Sequence, residues 1–521
     1  MRTTIRQFVP LVALVLGFML VTGEARANYA AAKQFFDRKD YVQAASAFFN
    51  AFSAPQNREE KLKAEWGLGQ SLQQLGLYYS ASMYYSRIVV RGPQGGKNPF
   101  FRNAMEELGK INSRISLGQS HVVQLFRDNI RAGDVPRAAR GFYFYYLGIE
   151  AFSKKKLEKA EEHFEKVPTD SAYNLGAIFH LGVIANLSGR HSLAVRNFEK
   201  VLARTRNDDG MREIYESALM NLARVNYETK RFVASVKYYG EVPRDSDYWL
   251  DAIWEASWAF FFMQKFNNSL GNIHTIHSPF FINRFYPESY ILQAITFLRL
   301  CRYEQVKESM HRFKVRYEPV FADVKSMLNR YDKDYAGFFR LVYDYRSGNL
   351  KKYENAEQVL KKLSLVDSYK EARDTIRFSD RELDALGSYK GRWGSSGLLD
   401  TLEKFLKDKK GIAVRDAGRR LWEFASTFYA QLLELSSQTK MIVAEMQLGK
   451  IDVLRSKIGV NSQKQRVEFI GGMQELNIRQ ELEYWPFEQE YWEDELGYYV
   501  YNLESQCAGR SEKEKEKENP E

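Results

Sequence analysis

His274 and His277 stand three residues apart, a spacing at which two imidazoles can share a metal ion. A zinc site takes four ligands, or three and an open position, and no third Cys, His or Asp follows at the usual spacing. Ile273 and Ile276 interleave with the pair, so a structural or solvated role is the plainer expectation, with no metal and no cofactor. Cys301 and Cys507 are the only cysteines and cannot build a zinc site by themselves. In an oxidising compartment an even count reads as a disulfide. The other reading is a small buried hydrophobe at Cys301 and a stray surface thiol at Cys507. There is no glycine-rich phosphate loop and no Gly-x-Ser-x-Gly elbow, so no catalytic residue is assigned and an enzyme is not expected.

What the chain repeats is a packing pattern. Between Phe142 and Ala203 the order Leu147-Gly148-x-x-Ala151, Ala160, Phe164, Val167 recurs as Leu181-Gly182-x-x-Ala185, Ala194, Phe198, Val201, each pair 34 residues apart. Small residues let two antiparallel helices approach, and the aromatic fills the gap beside them. The period and residue types resemble the tetratricopeptide repeat, which implies an all-α superhelical solenoid. About seven helix-turn-helix units are expected, followed by a long-helix C-terminal region.

Met1 to Ala27 is set apart from the fold. Arg2 and Arg6, the eleven-residue apolar run Leu11–Val21 and Ala25-Arg26-Ala27 have the order of a Sec-type signal peptide cleaved after Ala27. The expected location is the periplasm, with no later membrane span. The expected organisation is 28–98 N-terminal units, 99–140 a helical spacer, 141–319 a central array and 320–510 a C-terminal helical region. Gly92–Pro99 reads as a break, and the regular period is expected to end near Pro319. Gly387–Gly397 reads as a flexible loop and 511–521 as a disordered tail. A long helix is expected over 411–458, because Leu421, Phe428, Leu435 and Ile442 recur every seven residues.

In a tetratricopeptide array, set positions of each first helix line the concave face. In this register they are Tyr145, Phe179, Met220, Trp254 and Ile291, with Trp258, Phe261 and Phe262 added from the sixth unit. A face so apolar is expected to be covered, either by a partner's amphipathic helix or by the chain's own C-terminal helices, the second being preferred. Trp485, Phe487, Tyr491 and Trp492 are the candidate docking residues there. The net charge of +10 allows attraction to anionic envelope polymers or to an acidic protein, a solvated helical surface being the preferred reading, and export makes nucleic acid an unexpected partner.

Two resemblances bear on function. Glu288-Ser289 is similar to the Glu-Ser-x-aromatic motif of lytic transglycosylases, but Ile291 stands where the aromatic belongs and Gly472-Met473-Gln474 lies far downstream. Glu288 is better read as a first-turn carboxylate favoured by a helix dipole. Tyr286-Pro287-Glu288 through Cys301-Arg302-Tyr303, with the closing Tyr484–Phe487 and Tyr491–Tyr499, resembles exported delta-proteobacterial tetratricopeptide proteins, some of them parts of gliding-motility complexes. That implies a non-enzymatic scaffold joining proteins of an envelope assembly. The second expectation is a peptidoglycan-binding factor, with Trp485 and Trp492 sharing one helical face as a sugar platform.

Overall fold

The computed structural model describes residues 29–126, 130–348, 352–394, 396–457 and 491–507. These residues are helical throughout their regular structure, without a strand, and form two compact units. The first holds residues up to Asn174 together with Lys370–Arg415. The second holds Leu175–Tyr369 and residues from Asp416 onward. No helix among the described residues is long and apolar enough to cross a membrane. The stretch 1–27, Trp485, Phe487 and the 511–521 tail lie outside the described residues.

In the first unit, α1 (Tyr29–Asp37), α2 (Tyr41–Ser53), α3 (Arg58–Gln74) and α4 (Tyr78–Val90) form consecutive antiparallel pairs. They are followed by α5 (Phe101–Arg114), α6 (Gln119–Leu125), α7 (Arg140–Ser153) and α8 (Leu157–Glu165). Small residues do what their spacing implies. Gly148 lies so close to the Phe164 ring that an added Cβ would come within 2.7 Å of it, and Gly69 approaches Tyr85 equally closely.

Later chain returns to close this unit. Along α19 (Asp367–Trp393), Glu371 and Glu382 lie three helical turns apart on one face. Glu382 accepts hydrogen bonds from the Tyr79 and Ser80 amides (2.6 and 3.0 Å) and from Ser80 Oγ (2.7 Å). Glu371 accepts from the Gln119 amide (3.1 Å). Each carboxylate therefore satisfies orphan amides at a helix start, α4 and α6, that has no side-chain cap of its own. Burial raises the Glu382 carboxyl above its ordinary value, opposed by those hydrogen bonds and by Lys409. Lys409 donates to the Leu117 carbonyl (3.0 Å) and lies over the Tyr79 ring. Trp393, fully buried, donates its indole N–H to the Val42 carbonyl (2.8 Å). The expected loop at 387–397 is thus helical through residue 393, because Trp393 has an apolar pocket and a hydrogen-bond acceptor to reach.

The second unit takes α9 (Asn174–Leu187) from Leu175 onward. It continues with α10 (His191–Thr205), α11 (Arg212–Glu228), α12 (Phe232–Gly240), α13 (Trp249–Phe262) and α14 (Phe266–Ile276). Next come α15 (Glu288–Arg299), α16 (Tyr303–Arg330), α17 (Tyr335–Arg346) and α18 (Glu357–Leu363). The last helix, α20 (Leu398–Lys457), belongs to this unit from Asp416. It is 60 residues long and begins thirteen residues before the expected start at 411, since Leu398, Leu402 and Leu406 are already buried. α16 passes straight through Pro319, so the expected boundary there falls inside a helix.

One backbone device recurs in both units. Lys39, Gly76, Lys155, Gly189, Lys230, Gln264 and Cys301 each have φ between 55 and 77° and sit between the two helices of a pair. At each, two amides reach back to the preceding helix, as when Arg190 donates to the Ala185 carbonyl and Gly189 to that of Asn186. This is the Schellman closure, which satisfies terminal carbonyls and reverses the chain. A further left-handed turn at Lys333, where Asp334 caps the Gly337 amide, leads from α16 into α17. The turn signature therefore outlasts the expected end of the period near Pro319.

Gly182→Ala would bring a Cβ within 2.8 Å of the Phe198 ring, and Ala194→Leu would overfill a fully buried site. Each change is expected to destabilise the second unit by about 1–3 kcal/mol, read as a lower chemical-denaturation midpoint. Midpoints equal to that of the parent would show that these contacts are slack.

Candidate interaction surface

The residues placed on the concave face separate into two groups. Met220 and Ile291 are buried in the core, and Tyr145 and Phe179 are half-buried. Tyr145 packs against Phe164 (5.8 Å between centroids) and Phe179 against Phe198 (5.6 Å). These four serve packing between paired helices rather than an open groove. At Tyr145 and Phe179 the register position meets the aromatic of the second helix, whereas Trp254 at the same position joins the ring row, so periodicity alone could not separate lining from core.

The remaining four assemble into a continuous row of rings. Trp254 contacts Tyr286 (6.5 Å) and Trp258 (6.0 Å), and Trp258 contacts Phe261 and Phe262 (6.0 and 6.2 Å). Phe262 then stacks on Phe232 (5.7 Å) beside Tyr227. Phe262 is 49% exposed, the most open ring of the row. The row is held from beneath. Tyr286 Oη donates to Asp251 (2.7 Å), while Glu255 accepts from Arg224 through both oxygens and from Tyr239 Oη (2.7 Å). Such a surface can bury apolar or aromatic groups of a ligand.

The C-terminal helices do fold back within the second unit, though along the seventh pair and α16–α17. Phe428 meets Phe285 (5.2 Å), and Tyr429 stacks on Phe321 (4.6 Å). The Trp422 indole N–H donates to the Leu328 carbonyl (3.3 Å). Gln431 donates to Glu288 (2.9 Å), the carboxylate that most resembled a catalytic acid.

Residues 491–507 form a strap across α14. Gly271 permits it, since an added Cβ would strike the Tyr499 carbonyl oxygen. The Gly497 amide donates to Thr275 Oγ1 (2.9 Å), that of Tyr501 to the Asn267 carbonyl (3.1 Å), and that of Gln506 to Leu300 (2.8 Å). Arg244 bonds the Glu493 and Asp494 carbonyls. The strap ends in a disulfide between Cys507 and Cys301, whose Cα atoms are 5.0 Å apart. Tyr491 stacks on His274 at 4.2 Å. Trp492 is instead 58% exposed and lies outside any helix, so the helical sugar platform expected with Trp485 is not formed at this residue.

Both histidines of the pair are packing elements rather than solvated ones. His274 is buried among Tyr491, Tyr499 and Tyr501. His277 stacks on Tyr290 (4.0 Å) and shares a 2.7 Å hydrogen bond with Ser289 Oγ. Ser289 Oγ donates to the Tyr286 carbonyl, so its proton is spent and the imidazole Nε2–H is the donor to it. Burial, with Arg316 nearby, pushes His277 down to about 3. Among the described residues no group of three or more His, Cys, Asp or Glu could hold a metal ion. The strap itself left little trace in the sequence: the even cysteine count and the aromatic density at 484–499 were its only signals.

No family model matches the chain, and no curated protein does. Solved structures do match. One is described as a circular tandem repeat protein with novel repeat topology and enhanced subunit contact surfaces. It is 12% identical, with 82% of this chain and 90% of that one covered at a TM-score of 0.13. A likeness at that score carries no argument about this chain.

Two outcomes are expected from these contacts. Unfolding lets His277 take up its proton near the ordinary 6.5, whereas in the folded chain it does so only near 3. Its favourable contribution is complete above pH 6.5 and is lost as pH falls toward 3. His277→Phe should therefore flatten the decline of the melting temperature between pH 6.5 and 4.5, and an unchanged slope would remove His277 as a cause. For the disulfide, Cys507→Ser frees a loop of 206 residues and should cost up to about 5 kcal/mol in the chain-entropy treatment. Labelling of oxidatively expressed, denatured and unreduced parent protein should find no free thiol, and two would overturn the bond.

Proposed function

We propose that this chain is an exported, non-enzymatic scaffold of the tetratricopeptide type, acting in the periplasm to join proteins of a cell-envelope assembly. The observation that carries this reading is the row of rings from Tyr286 to Phe232, set on rigid helix pairs and open at Phe262. Aromatic rings on a preorganised support bury large areas at small entropic cost, which suits protein recognition. Repeat arrays present surfaces to partners. The groups with chemical potential are engaged elsewhere: His277 with Ser289, Glu288 with Gln431, and Cys301 with Cys507. A disulfide supports export to an oxidising compartment, in keeping with the Arg2–Ala27 signal pattern. The resemblance to delta-proteobacterial envelope proteins, including gliding-motility components, belongs to this proposal.

A photo-crosslinking residue at position 262, in intact cells, is expected to capture envelope proteins identifiable by mass spectrometry. Phe262→Asp should weaken co-purification of the same partners by roughly tenfold or more. Absence of protein adducts would overturn the scaffold reading. So would release of soluble fragments from isolated peptidoglycan by the purified protein, which would favour the cell-wall-directed alternative.

A further inference from the structure

Within the second unit, α16 and α20 run antiparallel and are pinned at two places. At one end Gly449 lies against Tyr303, and Lys450 pairs with Glu304 (2.6 Å). At the other Phe321 stacks on Tyr429. Between these points the helices leave a cavity of about 740 Å³. Its wall on α16 runs from Lys307 to Phe321, about 21 Å at 1.5 Å per residue.

The spacing on both helices says what shape this slot takes. Val306, Met310, Phe313, Tyr317, Val320 and Val324 alternate steps of four and three, as do Leu421, Ala425, Phe428, Leu432, Leu435, Thr439, Ile442 and Met446. That is the spacing of a coiled-coil seam, and it gives each helix an apolar face, although Phe313 and Tyr317 also pack on Tyr290. Met310, Phe313, Tyr317 and Leu432 are buried yet also line the cavity. Leu433 lines the slot and is exposed, and Met441 and Leu448 continue an exposed apolar stripe from it along α20. A stripe of that length, flanking the slot, suits a third helix better than a compact small molecule.

The rim sets the charge of the occupant. Lys307, Lys314 and Lys440 line the slot and are exposed, against the single acid Glu318 and with His311 beside them. None of the three lysines lies within ion-pair distance of an acid among the described residues, although Lys307, with Lys450, helps to lower the Glu304 carboxyl. Lys307 and Lys314 are seven apart, so they stand on the same edge of α16.

We infer that the slot between α16 and α20 receives an amphipathic helix of a protein partner, about four turns long, with acidic residues flanking its apolar stripe. It lays its apolar stripe against the residues of both helices that line the slot, with acids at seven-residue spacing meeting Lys307 and Lys314 and another meeting Lys440. This deepens the scaffold reading and rests on it, while using a surface distinct from the ring row at Phe262.

The test uses the full chain and two fluorescent synthetic helices of three heptads, identical in leucine seam but flanked by Glu in one and Lys in the other. Fluorescence anisotropy should show the acidic helix binding roughly tenfold or more tighter than the basic one. The triple change Lys307→Glu, Lys314→Glu, Lys440→Glu should reverse that preference. Leu433→Asp should weaken both. Circular dichroism and melting confirm that each variant folds. Absence of binding, or a preference untouched by the triple change, overturns the proposal. If the parent is silent but a Trp485→Ser, Phe487→Ser variant binds, the occupant is internal and the partner proposal fails. Crosslinks from position 262 that persist in the triple variant separate this failure from failure of the scaffold reading.

Discussion

The pairing of the earlier helices depends on one close approach made three times: the backbone of a first helix lying against an aromatic ring of the second, as at Gly69, Gly148 and Gly182. Gly148 on Phe164 and Gly182 on Phe198 leave no room for a Cβ. The distance between paired helices is thereby set by a ring's thickness rather than by side-chain adaptation. The Schellman turn provides the other half of the constraint, because it brings the second helix back in a fixed direction while satisfying its predecessor's carbonyls. Only Gly76 and Gly189 among the seven turn residues are glycine. At the others a lysine, glutamine or cysteine occupies a left-handed conformation that L-residues adopt at a cost of about 1–2 kcal/mol. Packing of the adjoining helices offsets that cost.

A repeat array has ends and edges, and this chain covers its own with segments distant in sequence. In the first unit, α19 lends Glu371 and Glu382 as caps to α6 and α4. In the second, the strap 491–507 pairs its backbone with Asn267 and Leu300 and is fastened at Cys301. Cys301 is at once a turn residue and a bond partner. The same left-handed turn that ends one helix holds the sulfur where the returning chain reaches it.

Buried polar groups in these contacts are matched rather than idle. Ser289 donates a hydrogen bond to the Tyr286 carbonyl and accepts one from His277, and the Tyr286 hydroxyl donates to Asp251. Burial and the nearby Asp251 hold the Tyr286 hydroxyl in its protonated form, well above the usual tyrosine range. The result is a rigid base under Trp254 and its neighbours, which is what a recognition surface requires in order to bind without first ordering itself.

The helical class, the pairing of helices and the small-against-aromatic contacts were legible in the sequence, because each rests on neighbours within one 34-residue period. Residue type at Gly148, Ala160 and Phe164 carries that geometry directly. Tertiary structure decided the rest. It placed Met220 and Ile291 in the core but left Phe262 open, since register assigns a face without saying what packs on it. It carried the helix through Trp393, where composition suggested a loop, because a buried indole needed the Val42 carbonyl 351 residues away. It joined Cys301 to Cys507 and spread Tyr491 over His274, contacts that no local pattern encodes. The repeats could be read in detail because their energetics are local, whereas for the covering segments the sequence offered only a fold-back and one of two readings of Cys301 and Cys507, because their partners lie hundreds of residues away.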